Sequence, residues 1–379
     1  MKEKIIFINQ VTGPIVIDIV NVFARQGHIV VLYAGQVEMT YANVHPNVRV
    51  KNLCSYKRSS SLLRVLTWVV FFIQSFVCLF FEKRTSRLFI VSNPPIAPFL
   101  TLFFRFKYDI LIFDIFPNAL NFFTKIKSNS LIYKAWGKAN KYIYSKANIL
   151  FTISDTMKKI LTEYLEEDKI KVIYNWTNTD FIKPIPKEIN PFVKKYCLEN
   201  KFVVMYSGNL GLTHDIESIV EAAELLLHND KIIFVIIGDG AKKKSIEEYV
   251  SNRNLRNVLM LPFQNANDLP YSMTASDIAV VTLGTGGEGL SVPSKTYYFL
   301  AAGSIILAIA EKHSELSKIV IKYNNGKSIQ PRDISGVIKF IVRCADSETE
   351  IDTLKSNSRK ASMEFTQKNA FDFYRHLYY

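Results

Sequence analysis

The run Gly287-Glu288-Gly289-Leu290-Ser291-Val292-Pro293-Ser294-Lys295 joins a glycine-rich loop, a carboxylate, a proline and a lysine. Glycines at 284, 286, 287 and 289 keep the loop open, and Pro293 pre-sets φ for a helix start. Ser294 and Lys295 then open a short apolar helix that stops at Gly303. A helix start offers unpaired N–H groups and a partial positive charge, and Lys295 adds a full charge beside them. The chemistry this suits is capture of a phosphate or diphosphate. Glu288, on the same loop, can accept hydrogen bonds from ligand hydroxyls or offset positive charge developing at a reacting carbon. The competing reading is an ordinary strand–loop–helix connection, with Glu288 facing solvent.

These residues need a scaffold, and the chain supplies two similar halves. Ile5–Ile8, Leu88–Val91, Ile110–Phe113, Ile149–Ile153 and Lys171–Ile173 read as strands, with a helix over Ile15–Arg25 and another strand over His28–Leu32. The pattern restarts with strands at Phe202–Tyr206, Ile232–Ile237, Val258–Leu261 and Asp277–Val281 and a helix over Ile216–Leu227. Apolar strands separated by helical stretches argue parallel sheets covered on both faces. The expected architecture is α/β, with two Rossmann-like domains facing each other across a cleft. The first domain is 1–180, the linker 181–200 (holding Pro184, Pro186 and Pro191) and the second domain 201–360. A helix at 361–379 is expected to pack back on the first domain. The loop before Lys295 then sits at the carboxyl end of a parallel sheet, where such folds bind ligands.

Composition narrows the partners. The 379 residues are 49% hydrophobic and 21% charged, which excludes a disordered chain. The net charge of +13 is uneven: residues 1–180 carry 23 Lys+Arg against 12 Asp+Glu, and residues 181–379 carry 24 against 22. The first half therefore suits an anionic partner, and no nucleic-acid motif accompanies the charge. Four scattered cysteines indicate neither a zinc site nor a disulfide framework, which fits a cytoplasmic chain. Val65–Phe81 is apolar except for Thr67, Gln74 and Ser75 and lies between Arg64 and Lys83-Arg84. It reads equally as a buried crossover helix or as a helix lying in a membrane interface, with Lys57, Arg58, Arg64, Lys83, Arg84 and Arg87 meeting anionic lipid.

Several short blocks carry a resemblance. They are Ser92-Asn93-Pro94-Pro95, Phe113-Asp114-Ile115-Phe116-Pro117, Ile153-Ser154-Asp155 and Ile173-Tyr174-Asn175-Trp176. The second half adds Tyr206-Ser207-Gly208-Asn209-Leu210-Gly211-Leu212-Thr213-His214-Asp215, Gly238-Asp239-Gly240 and Pro293-Ser294-Lys295. In this order the chain resembles, over essentially its whole length, the GT-B glycosyltransferases of family four. Within that family it is most similar to the L-fucosamine-transferase-like subgroup of O-antigen and capsule synthesis. The resemblance implies a nucleotide-diphospho-sugar, expected to be UDP-linked, held mainly by the second domain, and an acceptor in the first. Gly208, Asn209, Gly211 and His214 would meet phosphate, with the following helix pointing its N-terminus there, and Ser294 and Lys295 would complete the diphosphate clamp. Gly238, Asp239, Gly240 and Phe263 would border base and ribose. Gly289, Leu290 and Tyr298 would line the donor. Gly13 and Asp114 fall on the acceptor side, where Asp114 is a base or acceptor contact, or else caps the turn before Pro117.

The chain departs from the family pattern in places. Glu288 can serve as the first of the family's two glutamates, and Tyr298 occupies the position of the second. Asn209 and His214 replace the basic pair often found after the second domain's first strand. No Asp-x-Asp occurs, so no metal clamp is indicated and no cofactor is expected beyond the co-substrate. The expected activity is retaining, metal-independent transfer of a hexosyl or N-acetylhexosaminyl group to a polyprenyl-diphosphate-linked saccharide. The enzyme would lie on the cytoplasmic face of the cell membrane. A sugar-nucleotide epimerase of the same fold and an inactive partner subunit remain as alternatives.

Overall fold

The computed structural model describes residues 2–57, 59–119, 130–284 and 292–379. The chain divides into two compact units, residues 1–175 with 367–379, and residues 176–366.

The first unit is built on β1 (Lys4–Ile8), β2 (Ile29–Ala34), β3 (Val48–Asn52), β4 (Arg87–Val91), β5 (Lys107–Ile112), β6 (Leu150–Thr152) and β7 (Ile170–Val172). All pair in parallel, in the order β3-β2-β1-β4-β5-β6-β7. The order reverses beside β1, the place where an open α/β sheet leaves a crevice at its carboxyl end. Phe7, Phe89 and Phe151 stack side by side across β1, β4 and β6. Phe373, from the C-terminal helix Asn369–Tyr378, packs onto Phe151 and closes this core. At the amino ends of the strands, Arg87 grips Asp109 through two hydrogen bonds of 2.5 and 2.9 Å, with both side chains almost wholly buried.

The second unit carries β8 (Phe202–Ser207), β9 (Ile232–Ile237), β10 (Val258–Leu261), β11 (Ile278–Thr282), β12 (Ile305–Ile309) and β13 (Gly326–Ile329). These form a parallel sheet in the order β10-β9-β8-β11-β12-β13. Here too the switch point lies beside the unit's first strand. Beneath it, Asp277 bonds the backbone N–H of Val203 at 2.8 Å and receives Lys187 and, at 2.7 Å, Lys355.

The stretch 181–200, read above as a linker, is built into this unit. Asn190 caps the short helix Pro191–Lys195, Phe192 and Val193 are buried, and Lys187 reaches Asp277. Three prolines had suggested a tether, but they sit among side chains that make core contacts. The apolar stretch after Arg64 is the helix Ser61–Phe80, the crossover from β3 to β4. By length and composition alone it could cross a membrane.

Candidate functional site

Three neighbouring strands of the second sheet, β10-β9-β8, deliver their carboxyl-end loops to one rim. The loop after β8 is Gly208-Asn209-Leu210-Gly211, and the loop after β9 is Gly238-Asp239-Gly240. Backbone hydrogen bonds lace them together: Gly208 N–H to Ile237 O, Leu210 N–H to Asp239 O and Gly238 N–H to Leu261 O, all at 2.8–2.9 Å. The glycines are required by this closeness. Gly238 has φ +152°, and a Cβ there would lie 1.9 Å from the Gly208 carbonyl oxygen. Gly240 shares that φ, and its Cβ would strike Leu210 and Asn209. Backbone approaches backbone where a side chain cannot fit, so the rim exposes peptide groups to a ligand.

Lys295, the first residue of helix Lys295–Ala302, reaches over this loop. Its Nζ is buried, has no hydrogen-bond partner, and lies 3.6 Å from the centroid of the Tyr206 ring. A Cβ on Gly208 would lie 3.3 Å from the same nitrogen. Burial alone lowers the Lys295 amine to about 7. The Tyr206 π-face offsets part of that cost, and an arriving anion would remove most of it. Tyr206 is held in place by its hydroxyl, which donates to Asn209 O at 2.7 Å.

His214 completes the group. Its Nδ1 is buried without a partner, and the ring is held neutral, lowered to about 4 by burial and by the charges of Lys295 and Lys242. Lys242 donates to His214 O at 2.7 Å and pairs with Glu217, which fixes the loop from the far side. The helix expected to aim its N-terminus at phosphate is Glu217–Leu225, and Asp215 already caps it by accepting from Ser218 N and Oγ. Of its first-turn N–H groups, that of Ser218 is thus taken by Asp215 and that of Ile219 by Ile216 O.

The remaining expected residues divide. Ser294 is exposed at the N-cap with no capping hydrogen bond, and Tyr298 is half-buried one helical turn beyond Lys295. Phe263, just past β10, is 56% exposed, as an aromatic platform for a base would be. Glu288, Gly289 and Leu290 lie outside the described residues, as does Arg58. Gly13 and Asp114 belong to the other unit, at the carboxyl ends of β1 and β5. Gly13 is the N-cap of helix Pro14–Arg25, and a Cβ on it would meet nothing within 4 Å, so that spot is open. Asp114 is solvent-accessible, yet the surrounding protein displaces enough water to push its carboxyl up to about 6. No charged or hydrogen-bonding partner contributes to that shift, so the turn-capping alternative gains no support.

Tyr206 and Lys242 were not singled out from the sequence. Tyr206 sits in a strand of apolar residues and entered the sequence analysis only as the first residue of the block Tyr206–Asp215. Among the described residues no cluster of three or more His, Cys, Asp or Glu is placed to hold a metal ion.

Residues 190–361, the part of the chain that builds this rim, match the family model described as "Glycosyl transferases group 1". The "Probable glycosyltransferase WbjE" of Pseudomonas aeruginosa is 33% identical over 279 residues, covering 69% of this chain and 68% of that one. The chain belongs to the group 1 glycosyltransferases. Another relative is the UDP-Gal:alpha-D-GlcNAc-diphosphoundecaprenol alpha-1,3-galactosyltransferase of Escherichia coli. It is 26% identical over 244 residues, or 62% of this chain and 60% of that protein. The crystal structure of Anabaena HepE in complex with UDP-glucose superposes with TM-score 0.75 at 16% identity, covering 99% of this chain and 98% of that one. That likeness shows the fold: as a group 1 glycosyltransferase, the chain has the α/β GT-B fold with two parallel sheets.

Proposed function

We propose that this glycosyltransferase moves a sugar from a UDP-linked donor to a polyprenyl-diphosphate-linked saccharide in bacterial surface polysaccharide synthesis, with retention at the anomeric carbon. The observation that carries the reading is the buried, unpartnered Lys295 amine above Tyr206, beside Gly208 and His214. A cation kept dry and unpaired is costly unless an anion completes it, and a diphosphate leaving group is such an anion. UDP-glucose bound to the structurally similar HepE and the diphosphoundecaprenol acceptor in the galactosyltransferase's name support the choice of donor and acceptor. The proposed sugar is a hexosyl or N-acetylhexosaminyl group, L-fucosamine-type amino sugars among them.

In the proposed reaction the bond between the anomeric carbon and the diphosphate oxygen breaks, and a bond from that carbon to an acceptor hydroxyl oxygen forms on the same face. The electron pair of the broken bond leaves on UDP, where Lys295 meets its charge. The proton of the acceptor hydroxyl passes to the departing diphosphate oxygen. Glu288 is assigned to the donor sugar, where it would offset charge on the anomeric carbon.

The test is transfer from a panel of UDP-sugars to a polyprenyl-diphosphate-linked acceptor, followed by UDP release and product anomer. The reading expects UDP release that depends on acceptor. In Glu288→Gln, turnover should fall while UDP affinity stays near wild type. Interconversion of free sugar nucleotides would favour the epimerase. Donor binding with no turnover on any acceptor would favour the inactive subunit.

A further inference from the structure

The helix Ser61–Phe80 wears its polarity inside out. Thr67, Phe71, Ser75 and Leu79, spaced four apart, form the buried ridge, so two of its few hydroxyls face the protein. The outward ridge is Leu62, Val65, Leu66, Val69, Ile73, Val77 and Phe80, each between 41% and 78% exposed. A surface helix of a water-soluble domain puts polar residues outward. The apolar area also continues beyond the helix. Phe72 and Phe76 pack edge-on against Phe103, which is 60% exposed. Exposed Leu131 and Ile132 begin the helix Leu131–Lys146, which packs against the turn Ala97–Leu102 just before Phe103.

The segment that carries this area is charged mostly with one sign. Residues 39–154 contain 16 Lys+Arg and three Asp+Glu. Two of the three acids are engaged, Glu82 by Lys4 and Asp109 by Arg87. Helix Leu131–Lys146 carries Lys134, Lys138 and Lys141, all exposed and at helical spacing, with no acidic residue. Arg84 lies over the rings of Phe104 and Phe106 at 4.7 Å, a cation held at the margin of the apolar surface.

We infer that this face docks in the plane of an anionic lipid bilayer, with the outward ridge of Ser61–Phe80, Phe103, Leu131 and Ile132 entering the acyl boundary and the lysines and arginines meeting headgroups. The helix is about 30 Å long, enough to span a bilayer core, but it lies flat instead. It is the crossover between β3 and β4, its inner ridge is buried, and it is tied down by Gln10 Nε2 to Thr67 O at 2.9 Å and by Cys54 N–H to Gln74 Oε1 at 2.6 Å. The Gln10 bond has a consequence for the acceptor. Gln10 lies two residues past β1, and its N–H bonds Asn93 O at 2.7 Å, in the loop after β4. The membrane-facing helix is therefore bolted to the carboxyl-end loops after β1, which carries Gly13, and after β4, where Ser92 accepts from Phe113 N–H at 3.0 Å beside Asp114, so a lipid-linked saccharide would reach them without leaving the bilayer. This inference names the partner of the proposed acceptor side, and it rests on that reading for its purpose but not for its geometry.

The experiment floats the full-length protein with vesicles of phosphatidylcholine alone or with phosphatidylglycerol, and measures UDP binding on the same samples. The protein should float with the anionic vesicles, and added salt should weaken attachment. Val69→Glu and Ile73→Glu should each lower partitioning by roughly tenfold or more, the loss of one buried aliphatic side chain, with UDP binding kept. Lys134→Glu/Lys138→Glu, on a solvent-facing stripe, should weaken the anionic preference without touching the apolar ridge. Protein that stays unbound with both vesicles overturns the inference, as does an Ile73→Glu variant that floats like wild type. A dimer that Ile73→Glu dissociates, with no lipid binding, would make a second copy the occupant. Flotation without any UDP binding would leave this surface standing and remove the donor reading instead.

Discussion

The Nζ of Lys295 sits 3.6 Å from the centroid of the Tyr206 ring and has no hydrogen-bond partner. A lysine at the start of a helix normally extends into water; this one is folded back onto an aromatic face beside two glycine loops. The arrangement stores an unmet charge that a diphosphate can satisfy, and it makes the site sensitive to pH.

Burial lowers Lys295 to about 7 in the unliganded fold, from 10.5 for a free lysine. Between those values the unfolded chain binds more protons than the folded one, so this group adds stability as pH rises, and its penalty is complete below about 7. Donor binding runs the other way, because the diphosphate prefers the cation: affinity should fall as pH rises through about 7. Calorimetric UDP titrations at several pH values should show that slope in wild type and a flatter one in Lys295→Met. His214, held neutral to about 4, contributes no charge change in this range.

Gly238→Ala should damage the site through backbone alone. The residue has φ +152°, and the new Cβ would meet Gly208 O at 1.9 Å. A strained backbone of this kind costs about 1–3 kcal/mol, and moving the Gly208 loop to relieve it pulls Tyr206 and Lys295 out of register. Thermal unfolding should show the loss of stability, and UDP binding should weaken by more than stability alone explains.

Asp277 anchors the opposite end of the second sheet. Burial would raise its pKa, but Lys355 and Lys187 outweigh it and hold the carboxyl below the usual range. Its stabilising effect is therefore present above the unfolded value, about 3.9, and is lost as pH falls through the lower folded value. Asp277→Asn should cost about 3–5 kcal/mol in denaturant unfolding, as when one partner of a buried ion pair is removed. UDP affinity of the folded fraction should stay near wild type, since the residue lies just before the amino end of β11, at the opposite end of the strand from the rim.

Much of this was legible in the residues, for identifiable reasons. β8 and β9 follow the apolar runs Phe202–Tyr206 and Ile232–Ile237 because interior strands of a parallel sheet need continuous apolar sequence. Edge strands escape that rule. β3 alternates valine with Arg49 and Lys51, and β13 reads Gly-Lys-Ser-Ile. β12, Ile305–Ile309, is apolar throughout, but periodicity cannot separate so short a run from a buried helix. Lys295 was marked by Pro293 and Ser294, whereas the Tyr206 platform depends on a fold-back that no local pattern encodes. The composition of Ser61–Phe80 suits burial and interfacial contact equally; only the packing of Thr67, Phe71, Ser75 and Leu79 shows which face looks inward.

The central claim is that the Lys295 amine completes a diphosphate site with the Gly208 loop and His214. Titration of UDP into wild type and Lys295→Ala at neutral pH tests it most directly. A charge-assisted hydrogen bond is worth about 1.5–3 kcal/mol, so affinity in Lys295→Ala should drop roughly ten- to hundredfold. Lys295→Arg should recover little, because a planar fork cannot occupy the space of a compact ammonium over Tyr206. Wild-type UDP affinity in Lys295→Ala, with the fold intact by thermal unfolding, would contradict the account.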